Sequence, residues 1–534
     1  MRHLLMLCVG VLCCSVVLSQ LQERKLASRP NVSPLSAELL SVSQAVDVEF
    51  QQHWQSAKLK VADKADNLLV ARRLSLALTG TVPSLEEIRA FEQVASEDQI
   101  EWWLARLLND RRCSDYLAER FARAFVGTDG GEFIVYRRRR FVTWLSDQLN
   151  DKVPYDQIVR AMISDRGSWT AKPAVNFITV TNGTNEKDQP DEARLAARTT
   201  RAFLAVRLDC MQCHDDNLGG DWLQSDFHQL AAFYSQARAS GLGIQDIERD
   251  YEFQYLHEDE TEVVSPKTPF MADLAPDDPK LPRRAQLAAW VTHPENRAFA
   301  RATVNRVWAI LFGRPLVEPI DSIPLEGPYP PGLEILADDF AAHGFDLSRL
   351  ISQIAMTRVY QLDSRADFDV TEEHEQHWAT FPLTRLRPEQ VAGSIVQSAS
   401  LPTVDANSHI VRQVIYYTEV GNFVERYGDT GEDEFDDRGG TIPQRLVMLN
   451  GELVKERSKD GPLNAACRIA QQVADDQKAI EAVFLVTFSR RPTDTESEHF
   501  VAQLQDEGVE ANRIQRMEDI YWSLLNSAEF SWNH

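Results

Sequence analysis

Apolar residues return at spacings of three and four along most of this chain while strict alternation is scarce, which constrains it to a mainly α fold. Ala65 to Leu78 carries the pattern and stops at Thr79-Gly80. Pro83-Ser84 opens the next helix, with Ser84 and Glu87 at capping-box spacing. Further amphipathic stretches run over Gln99 to Leu108, Asp115 to Phe125, Phe141 to Leu149 and Tyr155 to Ile163. The clearest strand-like run is AVNFITV, Ala174 to Val180. A long helix from Asp191 to Leu208 is expected to lead into Cys210, with a second from Ser225 to Arg238.

The pattern breaks between residues 240 and 282, where glycine, acidic residues and proline gather (HEDETEVV, SPKTP, APDDPK), and it returns at Arg283. Its later stretches include Arg284 to Val291, Ala298 to Leu311, Gly332 to His343 and Arg513 to Ser527. The span 403 to 440 has no clear period. The expectation is two helical domains, 37–239 and 283–534, joined by an irregular linker, 240–282, with few short strands. A chain of 534 residues, 43% of them hydrophobic, has ample material for a core.

The first residues read as a secretory signal peptide over 1–19: Arg2 and His3, an apolar run from Leu4 to Leu18, and Val17-Leu18-Ser19 at the cleavage point. About fifteen apolar residues are fewer than the roughly 20 that a spanning helix needs, and no later stretch approaches that length. The mature chain is therefore expected in the periplasm or outside the cell, without a transmembrane segment. Its net charge of -24 argues against a nucleic-acid partner. Arg137 to Arg140 form the one basic run, expected as solvated arginines paired with acidic neighbours, with an anion site as the alternative. The acidic cluster Glu432-Asp433-Glu434 and Asp436-Asp437 lacks EF-hand spacing and reads as a solvated loop.

Once the signal is removed, Cys113, Cys210, Cys213 and Cys467 remain. Cys210-Met211-Gln212-Cys213-His214 places two thiols three residues apart, followed at once by an imidazole. That order suits thioether bonds to the two vinyl groups of a c-type haem, with His214 as an axial ligand of its iron. A redox or structural Cys210–Cys213 disulfide and a zinc site completed by an unidentified fourth ligand are the competing readings. No residue is selected as the sixth ligand among His228, Met162, Met271, His257 and His293. His374 and His377, three apart in TEEHEQHW, read as a solvated helix face. Arg301, Asn305 and Arg306 recur at helical spacing with Trp308 and Phe312, ahead of Arg314. The aromatic pair is expected in the core, with the polar residues capping and pairing with a neighbouring helix, and a buried polar network at the domain junction, facing the haem site, is the alternative.

Several stretches resemble the secreted, cytochrome-like proteins of planctomycetes and related bacteria. They are RRLSLALTGTVPSLEEIRAF (72–91), VPYDQIVRAMI (153–163), LDCMQCHDD (208–216) with FHQLAAFY (227–234), LAAWVTHPENRAFARATVNRVWAILFGRPLVEPID (287–321), IPQRLVMLNGELV (442–454) and LLNSAEF (524–530). The resemblance implies a cytochrome-like N-terminal domain joined to a planctomycete-specific C-terminal one, with Cys210, Cys213 and His214 matching the haem motif. Relatives commonly continue that motif with Asp and a second His, whereas here Asp215 is followed by Asp216, and His228 stands at a typically aromatic position. The functions to weigh are electron transfer or redox chemistry by covalent haem with an unidentified redox partner, a non-redox binding or assembly protein stapled by a Cys210–Cys213 disulfide, and a part in polysaccharide breakdown acting on an extracellular substrate. The chain has neither a G-x-S-x-G nor an H-E-x-x-H motif, and no catalytic residue is selected.

Overall fold

A computed structural model of the chain describes residues 35–128, 136–182, 189–216, 222–255, 260–405, 408, 410–428, 435, 441–459, 461, 464–506 and 512–534. The expected signal peptide at 1–19, His257 and the acidic residues of the 432–437 cluster lie outside the described residues. Within the described residues the architecture is mainly α, with three two-stranded antiparallel pairs.

Helix ends follow local chemistry. The Asn67–Thr79 helix starts on Asp66, whose side chain accepts from the Leu68 N–H, and stops at Gly80 in the left-handed region. A Cβ at Gly80 would come within 2.5 Å of the Tyr116 ring, so glycine serves both the turn and the close approach. Ser84 and Glu87 form the reciprocal capping box that their spacing predicts.

The hub is the Arg297–Phe312 helix, in which every residue except Arg297 and Arg301 is buried. A helix enclosed on all sides must take neighbours from several directions. Trp308 stacks on Phe312 at 4.3 Å and on Phe50 at 5.9 Å, while Phe312 reaches Tyr360, Trp378 and Phe381. Phe299 stacks on Tyr155 at 5.4 Å. The Asn67–Thr79 helix also lies on this hub, and the Ala37–Ala57 helix lies on Leu333–Ala342 and Leu347–Ala355. Residues Ser36–His534 thus form one compact unit in which helices from both sides of 240–282 share a core. Buried Arg73 ties them further, donating to the carbonyls of Tyr360, Leu362 and His534.

Three local expectations change. Ala174–Val180 is helical: a 3₁₀ turn over Pro173–Val175 runs into Asn176–Thr179. Pro173 suits a first helical position, and the Asn176 amide donates to the carbonyls of Trp169 and Pro173. Because Ala174 to Thr179 are all buried, Asn176 and Thr179 included, the segment has no wet face whose period would distinguish helix from strand. The helix expected over Asp191–Leu208 covers only Glu192–Thr199, widens into a π turn over Thr200–Leu204 and stops at Ala205, with φ 50°. The hydroxyls of Thr199 and Thr200 bond back to Leu195, Ala196 and Ala197 carbonyls, a competition that bends helices. The helix expected over Ser225–Arg238 runs from Gln224 to Ala231 and passes through a 3₁₀ turn, Ala232–Tyr234.

The chain then enters a hairpin, Ala237–Ser240 against Gly243–Asp246, followed by a second pair, Tyr251–Phe253 against Glu262–Val264. The 240–282 stretch therefore has structure of its own. Fully buried Arg284 pins it, donating to Asp246 at 2.7 Å and to the Ile163 carbonyl at 2.8 Å. In the span without clear period, Ile410–Tyr427 is a helix. No helix of the described residues is long and apolar enough to cross a membrane.

Candidate functional site

Cys210 lies on a one-turn 3₁₀ helix, Asp209–Gln212, capped by Cys213, whose N–H donates to the Cys210 carbonyl at 3.3 Å. Residues three apart in such a turn lie one above the other, so Cys210 and Cys213 occupy one edge of it. Met211 points inward, 5% exposed, while both cysteines are exposed free thiols. Cys113 and Cys467 are buried thiols, and burial pushes the Cys113 pKa up to about 12.

His214 is exposed, and its Nδ1 lies 2.6 Å from the Asp215 carbonyl. A carbonyl only accepts, so the neutral ring carries its proton on Nδ1 and its lone pair on Nε2, the tautomer that suits metal ligation through Nε2. The loop closes on the following helix. Asp215 Oδ1 accepts from the Gln224 N–H at 2.7 Å, and the Asp216 N–H donates to the Trp222 carbonyl at 2.8 Å.

His228 forms the floor of this turn. It is 1% exposed and lies among Phe227, Tyr251, Phe253 and Tyr255, with its ring stacked on Phe253. Nε2–H donates to the Gln212 carbonyl at 3.1 Å, and Nδ1 accepts from the Tyr251 hydroxyl at 2.9 Å. Burial holds the ring neutral, its pKa pushed down to about 4. Both nitrogens are engaged, so His228 supports the motif from beneath and is not presented as a ligand. Among the other sixth-ligand candidates, Met162 is fully buried, His293 Nδ1 accepts from the Glu295 N–H, and Met271 is 39% exposed. The structure selects none of them.

An ionic network borders the turn. Arg201 and Arg207 grip the two oxygens of Asp321 at 2.7 and 2.8 Å through their Nε atoms, and Arg201 also reaches Asp209 at 3.1 Å. Burial works to raise the Asp321 pKa, but the hydrogen bonds and charges of the two arginines outweigh it and hold the carboxyl below its usual range. Asp209 is raised by burial, with Arg201 opposing. The Ile323 N–H donates to the Ala205 carbonyl at 2.8 Å, so residues of the C-terminal part reach the entrance of the motif.

Other singled-out residues lie elsewhere. Arg138 pairs with an acidic neighbour, Glu119, through both guanidinium arms at 3.0 and 2.9 Å, but it is part-buried rather than solvated, whereas Arg139 and Arg140 are exposed. Arg301 pairs with Glu334 on the neighbouring Leu333–Ala342 helix, Arg314 with Glu318, and Asn305 exchanges hydrogen bonds with the Val317 backbone. Among the described residues no group of three or more His, Cys, Asp and Glu side chains is arranged to hold a metal ion. The contributions of Tyr251, Phe253, Tyr255 and Asp321 escaped the sequence reading. The alternation in Tyr251-Glu-Phe253-Gln-Tyr255 was a usable strand signal, whereas Asp321 lay too far along the chain to be linked to the motif.

The fold and this turn define a mainly helical protein with a surface-exposed Cys-x-x-Cys-His loop between two helices. Residues 45–239 match the family PSCyt2, described as a protein of unknown function (DUF1549), and residues 283–504 match PSD1, also of unknown function (DUF1553). The two matches flank the 240–282 stretch, an arrangement consistent with a two-domain protein of the planctomycete type. No curated protein and no solved structure matches the chain.

Proposed function

We propose that this is an exported protein of the periplasm or extracellular space that holds a c-type haem on Cys210, Cys213 and His214 and serves in electron transfer or another redox step. The observation that carries this reading is the pair of exposed free thiols on one edge of a 3₁₀ turn, followed at once by an imidazole whose Nδ1 is already bonded to a carbonyl. These residues fit the group: two accessible sulfurs for thioether bonds, and Nε2 of His214 for the iron. The haem, once bound, supplies reversible one-electron chemistry.

The chain's own residues keep the turn in shape. His228 holds the Gln212 carbonyl from below, and Asp215 anchors the loop to the Gln224 N–H at the start of the next helix. The Asp209, Arg201, Arg207 and Asp321 network sets the charge beside it. The apolar run over Leu4 to Leu18 supports export, which fits because covalent haem is attached outside the cytoplasm.

The test is an absorption spectrum and intact mass of the protein produced with a cytochrome-maturation system. We expect a haem band that survives denaturation and extraction, together with the added mass of one haem. Cys210→Ala and Cys213→Ala should each reduce the covalent attachment, and the double variant should abolish it. A colourless product that has lost two hydrogens would establish the disulfide in its place.

A further inference from the structure

His377 was singled out for its spacing to His374, but the fold gives it a different partner. His374 turns back on Thr371, with Nδ1 2.7 Å from the hydroxyl. His377 instead meets His53, from the Ala37–Ala57 helix 324 residues earlier, with Nε2 of His53 2.8 Å from Nδ1 of His377. Their ring centroids are 4.9 Å apart and the rings are tilted by 46°. Backbone contacts hold both sides: Trp54 Nε1–H, next to His53, donates to the His377 carbonyl at 2.8 Å, and the His377 N–H donates to the Glu373 carbonyl at 3.1 Å. Trp54 is 2% exposed and Trp378 5%, so the two histidines are flanked by buried neighbours.

We propose that His53 and His377 form a two-histidine site for a tetragonal divalent ion of the copper(II) or nickel(II) type. Two imidazole nitrogens bound cis to one such ion at about 2.0 Å stand about 2.8 Å apart, whereas tetrahedral zinc ligands at the same bond length stand about 3.3 Å apart. The hydrogen bond between the rings already sets their nitrogens 2.8 Å apart, so the first spacing requires no change in that distance. In the metal-free pair one ring donates its N–H to the other. On binding, that donor ring moves its proton to its outer nitrogen, both rings turn off the line between the two nitrogens, by up to about 45°, so that their lone pairs converge, and no net proton leaves. The preceding acidic helix, with Glu372, Glu373 and Glu375, adds a negative potential. Water would fill the remaining positions.

The test uses the full chain, with Cys210 and Cys213 either carrying haem or blocked by alkylation, titrated with copper(II). We expect one bound equivalent to be lost, or its affinity to fall about tenfold or more, in His53→Ala and in His377→Ala, while His374→Ala binds as the unaltered protein does. In the unaltered protein, copper(II) should shield His53 and His377 from carbethoxylation by diethyl pyrocarbonate, read by peptide mass spectrometry, while His374 stays reactive. That second readout needs no variant to fold. Equal copper binding in all four proteins, or no shielding of His53 and His377, would overturn the proposal and leave the pair as a hydrogen bond between two elements.

Discussion

His228 shows how one residue converts burial into a pH dependence. Its ring is neutral in the folded protein because burial pushes the pKa from 6.5 down to about 4. The unfolded chain takes up the proton near 6.5, so the stability due to the neutral ring is complete above that pH. As pH falls from 6.5 to 4, protonation favours the unfolded state, and up to about 3 kcal/mol is lost. Urea unfolding measured across that window should show the loss, and His228→Phe should flatten it. His228→Phe also tests the slot itself, since an aromatic ring can keep the stack on Phe253 while giving up the bond to Gln212. Its cost at neutral pH should be about 1–2 kcal/mol, against about 3 for His228→Ala, which also leaves a cavity. An acid-side decline as steep in His228→Phe as in the unaltered protein would assign the effect to other groups.

At the scale of elements, the hub helix is defined as much by where it stops as by what it buries. Gly313 follows Phe312 with φ 79°, and a Cβ there would come within 2.5 Å of Thr384 Oγ1. Gly344 also has positive φ, 66°, but a Cβ there meets nothing within 4 Å. The two positions separate backbone strain from collision. Gly344→Ala should cost about 1 kcal/mol, the strain alone, and Gly313→Ala about 2–4 kcal/mol, with both measured by denaturant unfolding. Equal costs would mean that the Thr384 strand moves aside freely. The same scale explains the misread segments. Ala174–Thr179 lacks a period because it is buried all round, and the helix before Cys210 widens and ends where the Thr199 and Thr200 hydroxyls bond back to its carbonyls. The first condition is not visible in local pattern, which reports which face meets water but not what surrounds a segment with no wet face.

At the scale of the whole molecule, the stretch between the two family matches is a boundary in sequence but not in packing. Arg73 is enclosed by residues 360, 362, 381 and 534, and Leu76 and Val82 belong to a core otherwise built from residues 386–530. Expressing 37–239 or 283–534 alone would therefore expose a broad apolar face and leave Arg73 without its carbonyl partners. Each fragment should be poorly soluble or unfold without a sharp transition, while the full chain unfolds in one cooperative step by circular dichroism and tryptophan fluorescence. A fragment with its own sharp transition would show that the halves are energetically separate.

The sequence by itself determined the helical class, the Ser84–Glu87 capping box, the stop at Gly80, the break after residue 240 and the Cys210-Met211-Gln212-Cys213-His214 motif, because each is written in neighbours a few residues apart. Only the tertiary structure decided that His228 is a support beneath that motif, that Asp321 closes on Arg201 and Arg207, and that His377 meets His53. Those contacts join residues from 16 to 324 positions apart. They exist only once apolar burial has folded the chain back on itself, and no local periodicity encodes them.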